Sequence, residues 1–437
     1  MKLFKKLLFI VFGLIALIAI SFYLFLKVRE YRSKDSLVHR ESECIAQVAV
    51  DKILTDISWN AIMNPGFYLG KDTVAESSVD SLKRDKLGMP IPSNIYLFTL
   101  KNSEGVWYSF LDIEDEYKLQ DFICNQLGID SANIERQADI WWLTGKNNKI
   151  SFLGNSQHML MAISIDRTDK KEKMMEIWEQ RTTTMVPVKT LNDFSFKGNA
   201  DIQWLQKGSG TVGSLSFKKG IIAVDFFLSN NLLRLPKEVK VRQLPDSNVL
   251  NVYCSADIRP LLDKYAEDLQ RYNIPVDTLK QYYGGYFDLQ WRSNDVLQRD
   301  SIIAYDYDAN FNPIEKKELR EEAVPNIIFM CSASPHIAGY LPEKMFYKFH
   351  KSMDGDQIGL STDQNAITDY PYVSAENAVF LSYKYNAAAQ RHLGWISQID
   401  KIEGIIIKGK GLGETNSFQT EVTLKNDKIH ALYQLLK

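Results

Sequence analysis

Cysteine and histidine are both scarce in this 437-residue chain. The four cysteines, Cys44, Cys124, Cys254 and Cys331, are too few for a disulfide scaffold, and their spacing matches no zinc site. The six histidines, His39, His158, His336, His350, His392 and His430, include no HxxxH or HExxH pair, which a helical zinc site needs to bring two imidazoles onto one face. The 23 glycines and 13 prolines exclude collagenous and low-complexity classes, and 45% hydrophobic residues against 24% charged exclude disorder. There is no GxSxG elbow, and the Gly-Ser-Gly at 208–210 reads as a turn in a strand meander. The glycines of KGKGLG at 408–413 lack the spacing of a phosphate loop and precede a strand pattern, so a strand turn is expected there.

A basic stripe is missing as well. Residues 1–34 take seven of the 52 basic and one of the 54 acidic residues, which leaves the remainder at a net charge of −8. Nucleic acid is therefore not an expected partner, because a phosphate binder needs clustered cations to displace counterions.

What the chain does have is one long apolar run. Leu7 to Leu26, LLFIVFGLIALIAISFYLFL, carries no charge over twenty residues, long enough at 1.5 Å per residue to cross a hydrocarbon core of roughly 30 Å. The rival is a cleaved signal peptide, with Lys2, Lys5 and Lys6 as its basic region and Ala19 and Ser21 at the −3 and −1 sites. Phe22 to Leu26 stay apolar beyond that point, which favours an uncleaved anchor. Lys27, Arg29, Arg32 and Lys34 rival the N-terminal lysines in the positive-inside count. A short N-terminal stub usually stays in the cytoplasm, so the expectation is a single-pass membrane protein whose C-terminal part is extracytoplasmic, in a bacterial cell envelope or periplasm.

The expected organisation is a cytoplasmic stub at 1–6, a transmembrane helix at 7–26, an amphipathic stalk helix at 27–60 and a linker at 61–90. Two α+β repeat domains follow, at 91–240 and 241–437, with the Lys-, Arg- and Pro-rich stretch Pro236–Leu244 as their boundary. An entry-strand pattern recurs four times: IPSNIYLFTL from Ile91, LPDSNVLNVYC from Leu244, VPNIIFMC from Val324 and VSAENAVFLSY from Val373. Each sets Pro or a polar residue, then Asn, before an apolar run of strand formers. Meanders of alternating strands follow at Asp139–Asp166 and Ala200–Ser229. The C-terminus from Ile405 lays over the second meander, with the turn at 218–220 matching 425–427. Helical periodicity marks Glu114–Leu127, Lys170–Arg181, Ile258–Tyr272 and Ala387–Ile399. The fold class expected is α+β: two related halves of antiparallel β-meanders with helices packed on one face, by internal duplication.

Four constellations bear on chemistry. Asp306, Asp308, Asn310 and Asn312 alternate as oxygen donors do in a calcium loop, but Phe311 replaces the tight-turn glycine and Lys317 the closing glutamate. A polar strand face entering a turn at Pro313 is the plainer expectation. The acidic run Asp112, Glu114, Asp115 and Glu116 suits a helix N-terminus better than a catalytic carboxylate pair. Trp141 and Trp142, with Trp107, Trp204 and Trp291, offer either a sugar or lipid platform or plain core. Strand alternation points Trp141 and Trp142 to opposite faces, so one of them needs cover beyond the main core. Cys254 and Cys331 end equivalent strands, CSAD and CSAS, which leaves either a bridge or two buried thiols.

No residue is assigned to catalysis, to a cofactor or to a metal. The functional expectation is an envelope protein that binds or scaffolds rather than catalyses, with a protein partner in the envelope. The alternatives are a lipid- or glycan-handling protein and a hydrolase whose site is assembled only in the fold.

Overall fold

The computed structural model describes residues 17, 20–68, 87–101, 103, 105–164, 169–196, 198–208, 212–271, 275–307, 313–340, 347–366, 369–396 and 399–437. It is mostly antiparallel β-sheet with helices. The chain divides into two compact units, residues 1–217 with Lys437, and residues 218–436. The division falls ahead of the expected boundary near residue 240. Val239–Arg242 inside that charged stretch is itself a strand of the second unit, and Val239 and Val241 are buried.

The first unit contains β1 (Leu37–His39), β2 (Cys44–Val48), β3 (Ile95–Thr99), β4 (Val106–Asp112), β5 (Glu135–Gln137), β6 (Ile140–Thr144), β7 (Ile150–Gly154), β8 (His158–Ser164), β9 (Met185–Pro187), β10 (Ile202–Gln206) and β11 (Val212–Phe217). Its sheet runs β11-β10-β2-β3-β4-β8-β7-β6-β5, every pairing antiparallel. β1 and β9 pair separately. The helices are α1 (residues 20–33), α2 (Val50–Met63), α3 (Glu116–Leu127) and α4 (Lys171–Glu179).

Helices cover both faces of this sheet, not one. Trp141 packs with Leu119, Ile123 and Cys124 of α3, and Trp142 packs with Met174, Ile177 and Trp178 of α4. Alternation along β6 therefore feeds two cores, and both tryptophans are buried, at 0% and 7% exposure. The near-continuous apolar sequence of β6, β7 and β8 follows from the same fact, since most side chains on both faces are covered, Ile163 of β8 being exposed. α3 begins where the acidic run lies: the Asp115 carboxylate accepts from Lys118 N at 3.1 Å as N-cap, and Gly128, at φ 59°, closes the helix in the left-handed region.

The second unit contains β12 (Ile221–Ser229), β13 (Val239–Arg242), β14 (Leu250–Ser255), β15 (Tyr283–Tyr307), β16 (Pro313–Ala333), β17 (His350–Asp354), β18 (Gln357–Ser361), β19 (Tyr372–Ala375), β20 (Val379–Lys384), β21 (Ile402–Gly411) and β22 (Thr415–Leu424). Its sheet runs β12-β22-β21-β20-β14-β15-β16-β18-β17. β13 pairs with β19, as β14 pairs with β20. β14 is followed by helices between Arg259 and Tyr282 and then the hairpin β15-β16, and β20 by the helix Ala387–Leu393 and then the hairpin β21-β22. The runs after all four asparagine patterns are strands, and Asn94, Asn248 and Asn326 of those patterns are buried.

Several expectations change. Residues 27–60 do not form one stalk helix: α1 ends at residue 33, β1 and β2 follow, and only then does α2 begin. Ile45 is fully buried between β10 and β3, so sheet pairing overrides the loose helical spacing. Most of the linker lies outside the described residues, and 61–68 are largely helical. The predicted span 7–26 also lies largely outside them. Among the described residues no helix is long and apolar enough to cross a membrane.

The turns at 218–220 and 425–427 are neighbours in space. β12 pairs along β22, Leu424 N donates to Gly220 O, and a β-carbon at Gly220, whose φ is +63°, would lie 2.6 Å from Asp427 Cα. Cys254 and Cys331 both pair with Phe287, from opposite sides. They lie two strand spacings apart, roughly 9–10 Å, beyond disulfide reach. Both are free and buried, and burial pushes each thiol up to about 11.

If Trp141 and Trp142 are core rather than a ligand platform, replacing either with Ala destabilises the protein by about 3–5 kcal/mol. Urea unfolding of each variant checks this, since an exposed platform residue would cost almost nothing.

Candidate functional site

The first unit holds a cleft of about 650 Å³, within the usual range for ligand sites. α1 forms one wall through Tyr23, Leu26, Lys27, Glu30 and Lys34, and α2 forms another through Asp51, Lys52, Thr55 and Asp56. The sheet supplies the floor with Gln47, Tyr96 and Gln203, joined by Ser93 and Asn94 at the entry to β3. Residues between Val188 and Ala200 close the remaining side.

Among the described residues, all but one of the charges in this cleft are tied down, Lys34 being the exception. Lys52 Nζ lies 2.5 Å from Asp201 Oδ1 and 2.7 Å from Asp56 Oδ2. The Asp201 side chain is fully buried, and its other oxygen accepts from Phe217 N at 2.5 Å. Burial by itself would lower the Lys52 ammonium, but Asp201 and Asp56 outweigh it and hold the group above the ordinary lysine value. Arg29 makes a two-pronged pair with Asp51 at 2.7 and 2.9 Å and donates to Ile91 O at 2.8 Å. Lys27 pairs with Glu30, and Lys189 with Asp35. Beyond Lys34, what the cleft offers a ligand is thus amides, hydroxyls and rings. Gln47 donates to Asn94 at 2.8 Å, Asn94 donates to Ser33 Oγ at 2.6 Å, and the Tyr96 and Phe196 rings lie 5.9 Å apart.

These bonds also fix the course of the chain around the cleft. The Ser33–Asn94–Gln47 chain holds the C-terminal end of α1 against the end of β2. Four residues further along, Asp51 meets Arg29, four residues back along α1.

The residues singled out from sequence are not brought together. Asp112 lies 3.1 Å from His158 Nδ1, Asp115 caps α3, and Glu116 pairs with Arg136 at 2.7 Å, so the acidic run contains no carboxylate dyad. His39 is buried against Phe98, and burial lowers its imidazole. His392 Nε2 lies 3.0 Å from Asp295, which also pairs with Arg391. Among the described residues no three His, Cys, Asp or Glu side chains group as a metal site. Asp306 and Lys317 belong to β15 and β16, and residues 308–312 lie outside the described residues. KGKGLG at 408–413 runs from β21 into a strand turn. Trp291 is buried beside His392, and a β-carbon on Gly213 would collide with the Trp204 ring across the β10-β11 pair.

Lys52, Asp201, Gln47 and Gln203 carry no motif and come from two stretches of chain about 150 residues apart, so nothing in the sequence grouped them. Asn94 alone was flagged, as the asparagine of the first entry pattern.

Removing Lys52 leaves a buried carboxylate unpaired, so Lys52→Met lowers stability by about 3–5 kcal/mol, and adding Asp201→Asn recovers part of that loss. Because the folded Lys52 value is raised, its contribution is complete below the unfolded lysine value of about 10.4 and is lost as pH rises through the higher folded value. Chemical unfolding at neutral and strongly alkaline pH checks both the magnitude and the sign.

No protein-family model, curated protein or solved structure matches the chain.

Proposed function

We propose that this chain is a single-pass, membrane-anchored envelope protein with an extracytoplasmic body, and that it acts by binding the polar part of a lipid or glycan in its cleft. The observation that carries this reading is the cleft's position and chemistry. It opens between α2 and the apolar end of α1, where Leu17, Ile20, Phe22, Tyr23, Leu24 and Phe25 are all more than half exposed. Among the described residues, all of its charged side chains but Lys34 are engaged in ion pairs, so amides, hydroxyls and rings make up most of what is left to recognise a polar moiety. The competing hydrolase reading lacks such support: the pairs His158–Asp112 and His392–Asp295 belong to different units, and neither lines the cleft. Native mass spectrometry of the chain released from its own membrane is expected to show added mass of a lipid or glycan that Lys52→Met loses. A bare chain mass under gentle release would sink this reading.

Scaffolding of a protein partner is a second reading, favoured by the β15-β16 hairpin. Beyond its register shift at Trp291/Asp295 its strands pair with each other down to Tyr307 and Pro313, and Leu297 and Leu319 on it are 71% and 79% exposed. Such a charged arm with exposed leucines suits docking. Photo-crosslinking from position 319 in native membranes is expected to capture one reproducible protein, and a smear or nothing at all would count against it.

The pairings of β13 with β19 and β14 with β20 further support internal duplication. Two strand–helix–hairpin units meet across the β14-β20 seam, each preceded by a strand of the β13-β19 pair. In the first unit β1 with β9 and β2 with β10 repeat the double pairing.

A further inference from the structure

We infer that the C-terminal half of α2 is a second membrane contact, lying in the lipid interface beside the anchor. This rests on the anchored reading above and adds a surface to it. Trp59, Ile62 and Met63 are 59%, 66% and 56% exposed, and at helical spacing they continue the row of Asp51, Lys52, Thr55 and Asp56 by which α2 lines the cleft. Three large apolar side chains at the end of one short helix need cover, and the neighbouring helix points to what provides it.

From the Arg29–Asp51 pair both helices line the cleft, α1 as far back as Tyr23 and α2 as far on as Asp56. Eight residues of helix separate Asp51 from Trp59, about 12 Å at 1.5 Å per residue. The same distance back along α1 from Arg29 reaches residue 21, in the midst of its exposed apolar residues. The two helices thus bring their uncovered apolar side chains to one level, with the cleft between them. A lipid surface satisfies both at once, since interfacial helices bury their apolar face by roughly 5–10 Å and tryptophan concentrates at that boundary. The lipid contact then explains the cleft's location as well: its mouth stands in the headgroup layer.

The test uses the full chain in phosphatidylcholine–phosphatidylglycerol vesicles, with the phosphatidylcholine brominated near the headgroup end of its acyl chains. Bromine quenches tryptophan on contact, and Trp59→Phe is expected to lose the share of quenching that wild type shows. Ile62→Asp with Met63→Asp, at exposed positions the fold tolerates, is expected to lose the same share while keeping Trp59. An identical quenched fraction in wild type and W59F, in chains that still float with the vesicles, overturns this inference and leaves the anchored reading standing. Trp59 shielded from an aqueous quencher yet untouched by bromine puts a protein over the patch and also overturns it. A full chain that fails to float with the vesicles overturns both.

Discussion

A single buried carboxylate organises the first unit. Asp201 sits at the start of β10 with no exposed side-chain surface, and it satisfies three neighbours: its side chain binds Lys52 of α2 and the amide of Phe217 at the end of β11, and its carbonyl accepts from Ala49. A charge taken out of water is costly unless it is paired and hydrogen-bonded. The pairing here joins the strand β10, the strand end at Phe217 and the helix α2 at one point. The cleft exists because that point holds α2 close to the sheet, while Arg29 and Asp51 hold α1 beside it. The walls of the cleft and the stability of the fold thus depend on the same residues.

The second constraint is burial on both faces of the sheet. In the first unit the side chains of β6, β7 and β8 alternate between a core under α3 and a core under α4. This places Trp141 and Trp142, which the sequence left between a ligand platform and plain core, in the core. The alternation of Trp141 and Trp142 was legible, as was the need for cover over the second ring. The helix Lys171–Glu179 with Met174, Ile177 and Trp178 was legible too. That these two facts answer each other became visible only when the sheet placed α4 over Trp142. In the second unit the comparable layer is the β13-β19 pair, whose Val239 and Val241 pack with Cys254, Tyr286 and Phe418.

Where reading the sequence went astray, non-local pairing is the cause. Leu37–His39 and Cys44–Val48 have helix-compatible spacing but become strands, because β9, β10 and β3 offer them ladder partners far away in sequence. The turns at 218–220 and 425–427, matched as equivalent positions of a repeat, are neighbours across the β12-β22 ladder. The similarity of Cys254 and Cys331 is real, since both flank Phe287, yet the strand between them keeps the two sulfurs apart.

The sequence by itself determined the local elements: the strand runs after the four asparagine patterns, the meander at Asp139–Asp166, the helices with three-to-four spacing, and the apolar run at 7–26. Each depends on contacts or propensities within a few residues, which a linear reading captures. Tertiary structure alone decided which strands are neighbours, which face each helix covers and where the cleft lies. Lys52, Asp201, Gln47, Asn94 and Arg29 become a site only when antiparallel pairing folds β2, β3 and β10 side by side, and no spacing rule connects residues whose proximity is made by a sheet.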